Sequence, residues 1–390
     1  EESVLNESAL LKMLYDDMNS SGGTLKRHIV HFKNHNEYVR FIRTFQREKP
    51  SFPIPDAVQP IPLIRAITCT LHSCKPIANH PSIRFVEEDV RIRMLTSHIR
   101  LTPQPQTVSL REVPYVPWGV RQIRAPEAWK WSRGNRVKIG VIDTGIDYMH
   151  PDLRGRISKG VNLIHRSLLP VDDNGHGTHI SGIIAASNFT SGIIGVAPQA
   201  MIHPVKAFDR NGTAYVSDIV LGIDWCVRNR MDVINMSFGM RTRSQSFHDA
   251  VRHAYAEGIV IVASSGNEGR RNGIDYPARF TQTIAVGATT KNSKLARFSN
   301  RGKAIDIYAP GDKIRSTWLN RSYAELSGTS MATSHVTGVI ALMLQLKPDL
   351  RPSEIKSLLK KTANPINVSK SAGSTGAGEI DALRAVRSLK

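Results

Sequence analysis

The sequence predicts an α/β protein: a three-layer domain built on a parallel sheet, preceded by a small α+β unit. Three observations carry this. From residue 118 onward, short Val/Ile-rich runs alternate with longer segments of helical apolar spacing, as expected of strands covered by helices on both faces. Before residue 95 the elements are shorter and of mixed type. Residues 95–117 between them hold four prolines and no periodicity, which reads as a linker. A length of 390 residues suits two or three such units.

An N-terminal extension, residues 1–22, carries Leu5, Leu10, Leu11 and Leu14 at helical spacing. The small unit is expected over 23–94, with strands at 27–32, 63–71 and 83–93 and helices at 36–48 and 75–79. Tyr38, Phe41, Ile42 and Phe45 line one face of helix 36–48. The linker is 95–115 and the large domain 116–390. Strands there are expected at 137–143, 200–208, 232–238, 259–266, 283–288 and 305–311. Helices are expected at 176–187, 216–229, 246–258, 330–346 and 353–363.

Composition excludes several classes. At 41% hydrophobic and 22% charged residues the chain is an ordinary globular one. No apolar run reaches the roughly 18 residues of a membrane-spanning helix. The net charge of +19 is uneven: residues 1–110 hold 14 basic against 11 acidic residues, and most of the excess lies beyond. There is no basic tail, so nucleic-acid binding is not expected. Cys69, Cys74 and Cys226 are too few for a disulfide framework; the first two can pair, though nothing requires it. The chain begins at Glu1 without a Met or a basic-then-apolar leader.

Three motifs stand where α/β sheets put their sites, at strand ends and helix starts. Asp143-Thr144-Gly145-Ile146-Asp147 closes a strand. An aspartic-protease reading needs a second such carboxylate, and no other Asp-Ser/Thr-Gly exists. Asn174-Gly175-His176-Gly177-Thr178-His179 opens a helix; His176 and His179 lack the nearby Cys or Glu of a zinc set. Gly328-Thr329-Ser330-Met331-Ala332 opens the apolar helix 330–346, where free N–H groups favour negative charge.

Together these supply a carboxylate, an imidazole and a hydroxyl in the chain order Asp, His, Ser. On these motifs the sequence resembles the subtilisin-like serine proteases, or subtilases, across residues 116–390. Val116-Pro117-Trp118-Gly119-Val120, Asn235-Met236-Ser237-Phe238-Gly239 and Ser265-Gly266-Asn267-Glu268-Gly269 extend the likeness. The resemblance implies Ser330 as nucleophile, His176 as base, Asp143 as its orienter and Asn267 as an oxyanion donor. It implies that Ser237, Phe238 and Gly239 pair with an extended substrate, and that Val216, Ile219 and Phe238 line an apolar pocket four residues before the cleaved bond. Ser265 and Gly266 would line the P1 pocket, with Glu268 and Asp275 at its rim and base, where two carboxylates favour a basic P1 residue.

The 23–94 unit, with Phe85-Val86-Glu87-Glu88-Asp89, resembles the family's propeptide, an intramolecular inhibitor. Self-cleavage is then expected between about Met94 and Arg111, with Arg100 and Arg111 as candidate P1 residues. Protein or peptide substrates, secretion and a monomer follow from the same likeness. No organic cofactor is expected. Calcium is left open: Asp152 matches one ligand of the family's site, while Phe189 and Pro114 replace two others. Ser334 stands where the family has Pro before His335, which raises acyl transfer to amines as an alternative to hydrolysis.

Overall fold

The computed structural model describes residues 2–20, 24–48, 58–94, 97–100, 114–366 and 376–390. The small unit comprises α1 (Glu2–Met18), β1 (Lys26–Phe32), α2 (His35–Glu48), β2 (Gln59–Ile61), β3 (Ala66–Leu71), α3 (Lys75–Ala78) and β4 (Ile83–Glu88). Its antiparallel sheet runs β2-β3-β1-β4. Two short strands follow, β5 (Arg91–Arg93) and β6 (Ser97–Arg100).

The large domain contains α4 (Trp118–Gln122), α5 (Ala125–Ala128), β7 (Lys138–Asp143), β8 (Val161–Asn162), α6 (His176–Ala185), β9 (Met201–Lys206), β10 (Thr213–Tyr215), α7 (Val216–Arg228), β11 (Val233–Met236), α8 (Gln245–Ala256) and β12 (Val260–Ser264). It continues with β13 (Ile284–Thr289), β14 (Ile307–Pro310), β15 (Ile314–Trp318), β16 (Ser322–Ser327), α9 (Thr329–Leu346), α10 (Pro352–Thr362) and α11 (Ala382–Arg387).

Seven strands form a parallel sheet in the order β14-β13-β12-β11-β7-β9-β8. Successive residues point to opposite faces. Val141, Val233 and Val262 join one buried cluster with α6 and α9; Ile142, Ile234 and Ile261 join another with α7 and α8. This is the three-layer arrangement the alternation predicts, and it sets β7, α6 and α9 side by side.

Four features depart from the sequence reading. Leu10, Leu11 and Leu14 of α1 are fully buried with Phe41, Ile67 and Leu71, so α1 belongs to the core of the small unit and is not a separate extension. The strand expected at 63–71 is interrupted at Pro62–Ile64, a 3₁₀ turn ended by Arg65 at φ 53°. The strand expected at 83–93 breaks at Asp89, whose carboxylate accepts from Ser217 in the large domain. Part of the expected linker is strand: β6 pairs antiparallel with β16. The cysteines are free, with Cys69 and Cys226 buried. Among the described residues no helix is long and apolar enough to cross a membrane.

The small unit and the large domain share a core. In β1, Val30 and Phe32 face inward, while Ile29 joins Ile61 and Ile64 in the cluster of α7 and α8. His31 Nε2 meets Ser246 Oγ at 2.8 Å. Two carboxylates of the small unit sit at the starts of these helices. Glu87 accepts from the backbone N–H groups of Gln245 (3.0 Å) and Ser246 (2.9 Å). Asp89 accepts from the Ser217 N–H (2.9 Å) and hydroxyl (2.6 Å) and pairs with Arg27 at 2.8 Å. Each satisfies helix N–H groups that have no intrahelical partner.

Candidate active site

Asp143 ends β7 in mid-sheet and His176 begins α6. His176 Nδ1 lies 2.8 and 2.9 Å from the two carboxylate oxygens of Asp143, with both residues buried. Nδ1 therefore carries the proton and donates, which turns the lone pair of Nε2 outward. Gly177 permits the approach: a Cβ there would fall 2.2 Å from the Gly145 carbonyl. Gly175, at φ 108°, lies against Trp318, whose ring a Cβ would meet at 2.4 Å.

A second layer of hydrogen bonds ties this turn to this helix. The Thr144 hydroxyl accepts from Gly177 N–H (3.0 Å) and donates to Asp172 (2.8 Å). Asp172 in turn accepts from Thr178 N–H and Oγ1. Lys206, buried on the neighbouring strand, donates to the Thr144 carbonyl and to Asp173, both at 2.6 Å. Sequence reasoning gave no role to Asp172, Thr178 or Lys206: Thr178 lies within the His176 motif and Asp172 two residues before it, while Lys206 lies outside all three motifs and carried no local signal.

Ser330 is the second residue of α9, so its backbone N–H has no intrahelical acceptor. Its hydroxyl donates to the Ser237 carbonyl at 2.8 Å. Asn267 sits beside it. Its side-chain oxygen accepts from Thr329 N–H and Oγ1, both at 2.8 Å. A backbone N–H can only donate, so this pair fixes which amide atom is oxygen and sends Nδ2 the other way. Thr329 was the missed partner here.

Two further polar side chains singled out in the sequence make their bonds elsewhere. His179 does not join His176: its Nε2 lies 3.0 and 3.1 Å from the carbonyls of Ile314 and Ala324, and burial holds its pKa down at about 3. The Ser334 hydroxyl donates back to the Ser330 carbonyl at 3.0 Å, so it is spent inside the helix.

Phe238 is fully buried against Phe208 and Phe247. Val216 and Ile219 lie in the same cluster, together with Ile92 and Met94 from the segment before the linker. Nearby, Asp275 is only 2% exposed, and its carboxylate backs onto Gly266, where a Cβ would meet Oδ2 at 2.4 Å. Ser265 accepts from Asn300 Nδ2 through its carbonyl. Arg270 Nη2 lies 2.9 Å from both Glu268 Oε2 and Asp275 Oδ1. Burial, and after it the charge of Glu268, pushes Asp275 up to about 6 against the pull of Arg270. Burial also raises Glu268, but hydrogen bonds from Arg270 and Asn300 outweigh it and leave that carboxyl below its usual value.

Asp152 faces donors only. Oδ1 accepts from Asn188 Nδ2 (2.8 Å); Oδ2 accepts from Ile193 N–H (2.9 Å) and the Tyr323 hydroxyl (2.7 Å). Asn188 Oδ1 is engaged by Thr190 and Ser191. Calcium takes six to eight oxygen ligands; here protein donors reach both oxygens of the one matching carboxylate, Asp152. Among the described residues no group of three or more His, Cys, Asp or Glu is disposed to hold a metal ion.

A profile of the Subtilase family matches residues 134–378. The chain is 42% identical to Subtilisin Savinase of Lederbergia lenta over 276 residues, covering 70% of this chain and 99% of that protein. It is 39% identical to Subtilisin E of Bacillus subtilis (strain 168) over 303 residues, 76% of this chain and 74% of that one. It is 38% identical over 297 residues to the Minor extracellular protease Epr of the same organism, and spans 45% of Epr's length.

Proposed function

The chain belongs to the Subtilase family of serine endopeptidases, and from that premise we propose that Ser330, His176 and Asp143 carry out its peptide-bond hydrolysis. The observation that carries the reading is the buried Asp143–His176 pair at the start of α6, with a helix-start serine and an oriented asparagine at the start of α9, the helix that packs on α6. On substrate binding, Ser330 Oγ rotates from the Ser237 carbonyl toward His176 Nε2. Oγ bonds to the substrate carbonyl carbon as its proton passes to Nε2. Asp143 keeps Nδ1 protonated and stabilises the imidazolium. Asn267 Nδ2 and the Ser330 N–H hold the oxyanion. The Nε2 proton then leaves with the amine, and water, activated by the same imidazole, releases the acid and restores Ser330. The substrate lies extended along Ser237–Gly239. A fluorophosphonate probe is expected to label Ser330 in the wild type and to fail in His176→Ala; equal labelling of both contradicts these roles. The Ser334 back-bond gives acyl transfer no support, so hydrolysis is the reading kept.

The small unit is read as a propeptide that inhibits in cis, with Glu87 and Asp89 as its anchors. Losing a cap of this kind costs about 1–2 kcal/mol. The separately supplied Asp89→Ala unit should therefore inhibit the processed enzyme roughly tenfold more weakly, and an unchanged inhibition constant counts against the anchor.

The register of β5 narrows the cleavage region. Ile92 pairs with Ala214 on β10, and Met94 N–H donates to Gly212. That register supports Ile92 as the side chain in the Val216/Ile219 pocket. Three residues further along the sequence, the cut falls between Leu95 and Thr96. These two residues lie outside the described ones, as does Arg111. Arg100 pairs with Glu325 on β16, beyond the cut, which leaves an apolar P1 residue at the processing site.

We propose that the Asp152 loop closes without calcium. A chelator should leave the melting temperature unchanged, whereas Tyr323→Phe should cost roughly 1.5–3 kcal/mol for a lost hydrogen bond to a carboxylate. A fall of several degrees with chelator alone contradicts this.

The acidic pair supports a P1 preference that depends on pH. The groups facing Asp275 are Glu268, Arg270 and Arg241. Asp275 is charged above about 6 and neutral below it. The ratio of Arg-P1 to Leu-P1 cleavage should therefore rise with pH through that value. A flat ratio contradicts it. The Epr relative's name describes an extracellular protease, and a secreted location is proposed here on that likeness.

A further inference from the structure

The acidic end of the P1 pocket already holds a cation from its own wall. Arg270 follows Glu268 by two residues and precedes Asp275 by five, and one guanidinium nitrogen spans both carboxylates at 2.9 Å. The loop is clamped in this arrangement. Asn300 Oδ1 accepts the N–H groups of Glu268 and Arg270, and its Nδ2 donates to Glu268, Ser265 and Gly273. Arg270 Nε is buried without an acceptor, so the two carboxylates are what hold the guanidinium there.

We propose that Arg270 acts as a built-in competitor for the basic P1 side chain, occupying Glu268 Oε2 and Asp275 Oδ1 so that the enzyme accepts uncharged P1 residues and takes arginine or lysine only by displacing it. The inference rests on the assignment of Glu268 and Asp275 to the P1 pocket. Physically, the two carboxylates form a short fork for one guanidinium. A second guanidinium at the same oxygens meets like charge in a partly desolvated site. Arg270 is one-third exposed and on a loop, so its displacement requires no core rearrangement. An apolar Leu95 at the processing site is what such a compensated pocket accepts.

The test compares kcat/KM for two peptides that differ only in P1, Arg or Leu, on the processed enzyme. Arg270→Gln should raise the Arg-to-Leu ratio at least tenfold, chiefly through KM. It should also tighten competitive inhibition by benzamidine by a similar factor. Arg270→Lys, which keeps the charge, should stay near the wild-type ratio. Adding Asp275→Ser to Arg270→Gln should return the ratio toward wild type. A wild-type ratio in Arg270→Gln with Leu cleavage intact overturns the inference, and so does a Lys variant that behaves like Gln. A raised ratio that survives Asp275→Ser overturns the pocket assignment instead. Failure of the wild type to cleave the Leu peptide overturns the assigned hydrolysis itself.

Discussion

Ser330→Ala is expected to lower turnover on a peptide amide by about 10⁶-fold, the scale established for loss of the serine in a subtilisin relative. His176→Ala should do nearly the same, and the double variant should be little worse than either single one. The reason is chemical. A serine hydroxyl at neutral pH is a poor nucleophile without a base to take its proton. His176 is a base of fixed orientation only because Asp143 holds Nδ1 at 2.8 Å. Serine and histidine therefore act as one unit, and removing either leaves only binding and oxyanion stabilisation. Steady-state kinetics on one chromogenic peptide, with circular dichroism to show that each variant is folded, checks this. Additive losses in the double variant would mean that the two residues act separately.

Asn267→Leu should cost roughly 10²–10³ in kcat with little change in KM, a magnitude established for the same group in a subtilisin relative. Asn267 Oδ1 is held by two donors from Thr329, so Nδ2 is aimed before substrate arrives and pays no reorganisation in the transition state. A hydrogen bond made only to the developing oxyanion alters kcat and leaves ground-state binding unchanged. Equal effects on KM and kcat, or a loss below tenfold, would place Asn267 outside the oxyanion site.

The parts of the site that sequence made legible are those where chemistry is written within a few adjacent residues. The Asp143 turn, the His176 helix start and the Ser330 helix start each announce themselves by glycines and capping residues, and Val141/Ile142 alternation announces the two-faced sheet. What stayed hidden depends on chain paths. Tyr323 meets Asp152 across 171 positions. Thr329 orients Asn267 across 62. Arg270 was close in sequence, yet its guanidinium turns inward because Asn300, from a later loop, fixes the backbone that carries it. The same limit applies to α1: its leucines have helical spacing, but only the fold reveals the Phe41 face they cover.

The most direct measurement is intact mass over time for purified wild type and Ser330→Ala, under identical conditions. The wild type is predicted to split into a fragment ending at Leu95 and one beginning at Thr96, while Ser330→Ala stays whole. Cleavage of the Ser330→Ala protein at the same bond and rate, or a wild type that remains intact, would contradict a self-processing enzyme acting through Ser330.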